Sequence, residues 1–243
     1  MMRAFWLILI LAIGGAIKIP AEQNLARQSP VWAALSLGEQ FREGALLASL
    51  SGLRALVANV LYIEAHVAWE QTQWARMLLL FRQVTALQPG VVLFWDTAAW
   101  HMAWNASAAV MNDSREPRVA LRVRRQREFI EIGRQFFVRG IELNPNQPQL
   151  HEALARLYRD KLHDHKGASD SFARAAALPG AAAYDERFSA YELSYCEGME
   201  ADAYQRLRQL YQRGERERLP TLLARIHALE EKLGVPNADR VVR

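Results

Sequence analysis

Residues 148–180 read PQLHEALARLYRDKLHDHKGASDSFARAAALPG, and the order of small and aromatic side chains in this stretch decides the fold. The first half carries Leu154, Ala155 and Tyr158. In the second half Ala168, Phe172 and Ala175 follow one another at spacings of four and three, and Pro179 closes the segment. Each residue has a steric role in a helix–turn–helix: small residues let two helices approach closely, aromatics fill the gap between them, and the proline stops the second helix.

Working outward, the preceding stretch EFIEIGRQFFVRGIELNP repeats the second-helix pattern with Gly133, Phe137, Gly140 and Pro145. Its first helix lies upstream as VVLFWDTAAWHMAWN, with Trp95 and Ala99 in register, and an insertion at 107–124 separates the two. A third copy, LYIEAHVAWEQTQWARMLLLFRQVTALQPG, keeps Ala65, Phe81 and Pro89. The tail reads as helices without a clean signature: ERFSAYELSYCEGM, ADAYQRLRQLYQRG and LPTLLARIHALEEKLG. Long stretches rich in Ala, Leu, Arg, Glu and Gln, with no alternating β-branched run, predict an all-α chain.

The pattern is that of the tetratricopeptide repeat, a helical hairpin of roughly 34 residues. The chain also resembles the membrane-anchored tetratricopeptide proteins of certain bacteria. The residues that carry this likeness are SGLRALVANVLYIEA, Leu87-Gln88-Pro89, Trp95, Ala99-Trp100 and Trp104-Asn105-Ala106-Ser107, and it spans residues 52–179. It implies an all-α, tetratricopeptide-like solenoid preceded by an N-terminal transmembrane or signal-anchor helix. The expected organisation is an anchor at 1–20, a connecting helical segment at 21–50, repeats at 51–182 and capping helices at 183–243.

Helical pairs of this kind cannot bury their apolar faces alone and stack, so that their first helices line a concave surface. The resemblance implies which residues face inward. Those expected to contact a partner protein are Tyr62, His66 and Trp69 in the first copy, and Asp96, Trp100 and Trp104 in the second. Gln149, Glu152, Arg156 and Arg159 follow in the third. An aromatic end and a charged end suit a peptide or helix with an apolar anchor and polar flanks. Tryptophans at helical spacing also serve as core, and Trp95 occupies the repeat's own packing position; Trp100 and Trp104, spaced i and i+4, are the pair expected to be exposed.

The apolar run AFWLILILAIGGAI at 4–17 lies between Arg3 and Lys18. Eight of its residues are Phe, Leu or Ile, together contributing roughly −2 to −5 kcal/mol to insertion. It is short of the roughly 20 residues of a full span and within the range of a signal-peptide core. A cleavage site wants small residues, and Ile19-Pro20-Ala21 has a bulky first position, which favours a retained anchor. Arg3 favours an N-inside orientation, with the bulk of the chain on the periplasmic side of a bacterial inner membrane; Lys18 and Arg27 oppose it. A second apolar region at 45–63 carries Arg54 and Asn59 and is expected to be a buried helix rather than a span, because a central Arg costs about 2.5–3.5 kcal/mol on insertion.

Six arginines fall between Arg115 and Arg127, and Arg118, Arg122 and Arg125 would share a helix face able to meet an anionic surface. The competing reading is a solvated face balanced by Glu116, Glu128 and Glu131. His163-Asp164-His165 suggests a metal only weakly, since no HExxH, CxxC or Glu-x-x-His spacing is present, and an exposed turn is the simpler reading. A net charge of +4, from 30 basic and 26 acidic residues, is far from a nucleic-acid binder's footprint. Cys196 is the only cysteine, so no internal disulfide can form, and it reads as a small buried apolar residue. No phosphate loop, dinucleotide fingerprint or nucleophile elbow occurs. The sequence therefore predicts no enzyme, no cofactor, no metal and no small-molecule substrate. It predicts a membrane-tethered scaffold for other proteins, with a permanent structural subunit as the alternative and a metal-dependent enzyme around His163 and His165 as a third.

Overall fold

The computed structural model describes the backbone from Gly44 to Val241 and side chains from Leu53 onward. The expected anchor at 1–20 and the connecting segment up to residue 43 lie outside the described residues. Among the described residues every regular element is helical, as the composition requires, and no helix is long and apolar enough to cross a membrane. The chain divides into two compact units between Phe94 and Trp95.

In the first unit, α1 (Gly44–Glu70) packs against α2 (Trp74–Leu87). The contact is made by small residues: Ala58, Ala65 and Ala68 are fully buried, and Met77, Phe81 and Val84 of α2 meet the same core. Tyr62 stands 6.2 Å from Phe81 and 5.1 Å from Phe94, ring centroid to centroid. A backbone turn with Thr72 at φ 55° reverses the chain between the two helices.

The expectation that 45–63 forms a buried helix is corrected here. The region is helical, but Leu56, Val57, Val60 and Ile63 are exposed, with Val67 continuing the line and Ile63 at 64%. An alanine face one residue deep lets α2 come close on one side only, and the large aliphatics stand on the side α2 does not cover.

The second unit begins within α3 (Val92–Trp100), which continues unbroken through a π-helical turn (His101–Ala106) into α4 (Ser107–Met111). Next comes α5 (Val119–Leu143), which packs on the π turn and on α4. The insertion expected at 107–124 is thus helical at both ends, with residues 112–118 as the connection. Gly133 and Gly140 make the close approach possible. A Cβ on Gly133 would lie 2.7 Å from both Ala103 Cβ and the Ala99 carbonyl oxygen.

The best sequence copy folds as two helices. α6 (Pro148–Leu157) starts with a proline in its first turn, where no amide is needed, and runs into a second π-helical turn (Tyr158–Leu162). His163, at φ 53°, ends that turn in the left-handed region, and the Asp164 amide bonds Tyr158 O at 2.9 Å. The Asp164 carboxylate then caps α7 (His165–Ala176) by accepting the Gly167 amide at 2.8 Å. Phe172 is fully buried, with Ala168 and Ala175 beside it at 0% exposure, as their spacing predicts.

The tail forms α8 (Asp185–Leu193), α9 (Glu200–Gln212) and α10 (Pro220–Lys232). Its core joins Tyr191 and Leu193 to Leu207, Leu210, Leu222 and Ile226, with Cys196 half-buried at the edge rather than fully inside. Each helix from α6 to α10 packs on the next in sequence.

Candidate functional site

The expected partner-contacting residues of the second unit come from α3 and α6. Asp96 and Trp100 are one helical turn apart on α3. Trp100 is 46% exposed, as expected, and its ring meets His101 edge-on at 5.3 Å. Trp104 departs from expectation. It is half-buried, and the Lys161 ammonium lies 5.4 Å from its ring centroid. The π-helical turn that begins at His101 fits more residues into each turn than an α-helix does, so the side-chain register shifts across it, and Trp104 lies against Lys161 of the second π turn. Burial depresses the Lys161 ammonium's pKa, with Asp160 opposing.

On α6, Gln149 is exposed and Glu152 is buried, 8% exposed. Arg156 pairs with Glu152 across one helical turn, and the Tyr184 hydroxyl donates to the same carboxylate at 2.8 Å. Arg159 pairs with Asp160 at 2.7 Å and covers the rings of Phe172 and Phe188, each 6.0 Å away. It therefore packs over the neighbouring helices rather than projecting freely.

The structure brings Asp96, Glu152 and Arg156 into one electrostatic neighbourhood and adds Asp185. Burial raises the Asp96 carboxyl pKa, Arg156 opposes and Glu152 reinforces. Asp185, fully buried, is likewise raised by burial and by Glu152, against the Ala182 amide and Arg156. The Tyr184 phenol is raised chiefly by its bond to Glu152. Sequence reasoning missed Tyr184 and Asp185 because they stand where the signature has decayed. A signal was present: Asp185 follows Glu152 by 33 residues (185 − 152), close to one repeat length.

In the first unit, Tyr62 and His66 are half-buried, and His66 Nδ1 lies 2.8 Å from the Tyr62 carbonyl oxygen. Trp69 is exposed at 36%. All three lie on α1, where Tyr62 and His66 also pack against Phe81 of α2, at 6.2 and 6.3 Å between ring centroids.

The arginine cluster is not the single helix face expected. Arg118 precedes α5 in extended conformation and bonds Glu116, at 2.8 Å through Nε. Arg122 turns inward to the Met111 carbonyl oxygen at 3.1 Å. Arg125 alone of the three is an exposed residue on the helix. The charge is locally balanced: Glu116, Glu128 and Glu131 take Arg118, Arg124 and Arg134.

His163 and Asp164 are exposed, but His165 begins α7 half-buried, bonds Glu192 at 2.7 Å and stacks on Tyr195 at 4.6 Å. These contacts tie it to α8 and to the residues just beyond it. Among the described residues no group of three His, Cys, Asp or Glu side chains is arranged to hold a metal ion. Burial also pushes the Cys196 thiol pKa up, the opposite of an activated nucleophile. No protein-family model and no curated protein sequence matches this chain.

Proposed function

We propose that this chain is a non-enzymatic, membrane-tethered scaffold of the tetratricopeptide type that binds a segment of another protein and so assembles a larger envelope complex. The anchor is the apolar run at 4–17 and the compartment the periplasmic face of a bacterial inner membrane. The observation that carries the reading is Trp100. A large aromatic 46% exposed, one turn from the half-buried Asp96, makes an apolar anchor point with a charged flank. Buried hot spots of protein interfaces favour Trp, Tyr and Arg in such settings. The helical pairs α6–α7 and α8–α9 and the buried Ala168, Phe172 and Ala175 support a repeat architecture.

The test is recovery of the tagged full-length protein from detergent-solubilised membranes, with cross-linking and mass spectrometry. A partner cross-linked near Trp100 or within 149–160, and reduced by Trp100→Ala without loss of helicity, supports the scaffold. A protein found alone in the soluble fraction rejects both tether and scaffold.

One observation favours the second reading, a permanently buried subunit: the aliphatic line Leu56, Val60, Ile63 and Val67 on α1. Contiguous apolar surface of that kind marks association. On this reading the purified chain aggregates without its assembly, and Ile63→Lys relieves the aggregation.

A further inference from the structure

The outer side of α1 carries a seven-residue repeat. From Leu53 the chain reads LRALVAN, VLYIEAH and V, so Leu53, Val60 and Val67 take the first (a) position of successive heptads, and Leu56 and Ile63 the fourth (d). Leu56, Val60, Ile63 and Val67 are all exposed, at intervals of four, three and four, and Val57 beside them is exposed as well. On the opposite side, at the sixth (f) position, Ala58 and Ala65 are fully buried, Ala58 in one cluster with Val84 of α2. α1 therefore has two packing faces, and α2 occupies the alanine face. The free seam runs about 21 Å along the helix from Leu53 to Val67, and Glu70, at the next d position, ends it.

We infer that this seam is the interface of a homodimer, in which the α1 helices of two copies of this chain pair in parallel as a short coiled coil. The parallel sense rests on the membrane tether proposed above: the run at 4–17 sets both chains in one bilayer in the same direction and raises their local concentration. β-branched residues at a with leucine at d favour two parallel strands. Val60, Val67 and Leu56 follow that preference, and Leu53 and Ile63 do not. In a parallel pair Asn59, at g, faces Glu64, at e of the other copy, so an amide meets a carboxylate and no like charges oppose each other there. Glu64 keeps its ion pair with Arg76 of its own chain, at 3.4 Å, and Arg54, at b, lies off the seam. An end repeat of a stacked array normally turns a polar face outward, and this one turns out a row of aliphatics of the kind that marks association. The helix is already held on α2, so pairing orders side chains rather than backbone.

The experiment measures the mass of the full chain in non-ionic detergent by chromatography with light scattering, over a range of protein concentrations. A dimer is expected. Ile63→Lys, which sets two ammonium groups against each other in the seam, is expected to weaken it by about tenfold or more with circular dichroism unchanged. Leu79→Lys, at an exposed position of α2, is expected to leave it intact, which separates pairing through α1 from two anchors sharing one micelle. In a Cys196→Ser background, Val60→Cys is expected to give a disulfide-linked dimer on oxidation, because a positions meet their own equivalents in a parallel pair, and Leu79→Cys is expected to give none. A monomer, a dimer indifferent to Ile63→Lys, or a Val60→Cys variant that does not cross-link overturns the inference. So does aggregation beyond the dimer that Ile63→Lys relieves, which is the behaviour of a face covered by a foreign subunit. The scaffold reading fails separately: a dimer recovered from membranes with no other protein overturns the scaffold and leaves the pairing standing. A monomer that cross-links to a partner near Trp100 does the reverse.

Discussion

Gly140 on α5 lies directly against Trp95 on α3: a Cβ built on the glycine would stand 2.9 Å from both Cβ and Cγ of the tryptophan. Trp95 is 5% exposed, so the ring has no free volume into which it could retreat. The two helices are as close as they are because this one side chain is missing.

Gly140→Ala is accordingly expected to destabilise the protein by about 1–3 kcal/mol through overpacking. Gly133→Ala is expected to cost more, because one of the atoms 2.7 Å from its new Cβ is the Ala99 backbone oxygen. Thermal unfolding of the two variants checks the order. A Gly133 variant as stable as wild type would show that α3 and α5 can separate freely.

Phe172 and Trp100 should separate stability from binding. Phe172 is fully buried, and its truncation to alanine is expected to cost about 3–5 kcal/mol. Trp100→Ala removes a half-exposed ring, and its loss should stay near 0.5 kcal/mol while partner recovery falls. Denaturant titration reads the first and cross-linking yield the second.

Tyr184→Phe deletes only the hydroxyl that donates to Glu152 at 2.8 Å. Hydrogen bonds to charged groups contribute roughly 1.5–3 kcal/mol, so a loss of that order is expected. The same substitution removes a phenol whose pKa lies above its ordinary value, so one late step disappears from the tyrosine absorbance titration.

Asp185 makes a prediction in pH. Its folded pKa is raised, so the folded chain holds the proton more tightly than the unfolded chain. Stability from this group is therefore fully present below the unfolded value, about 3.9, and is lost as pH rises through the folded value. Asp185→Asn cannot ionise and escapes that loss. Its melting temperature should exceed wild type at pH 7, with the gap closing at pH 3. A constant gap across that range would show that ionisation of Asp185 is not involved.

The sequence by itself determined the helices and much of their internal packing. Spacing alone marked Ala168, Phe172 and Ala175 as contact residues, and all three are fully buried. It marked Gly133 and Gly140 as points of close approach, because only small residues satisfy that geometry and their intervals are fixed by the helix. It also singled out Trp100 as exposed.

Tertiary structure alone decided the rest. Trp104 shares a sequence interval with Trp100, yet a π-helical turn, which periodicity assumed at 3.6 residues cannot foresee, carried it over to Lys161. Leu56, Val60 and Ile63 read as core because they are apolar, whereas burial requires a neighbour, and α2 lies on the other side of α1. Glu152 read as a partner-contacting residue of the groove, and only the approach of Tyr184 from 32 residues away made it a buried carboxylate bonded from another part of the chain. Helix periodicity is a property of neighbours along the chain and is written in the sequence. Which face meets a partner, and how charges converge across helices, depends on contacts between distant segments, which no single interval encodes.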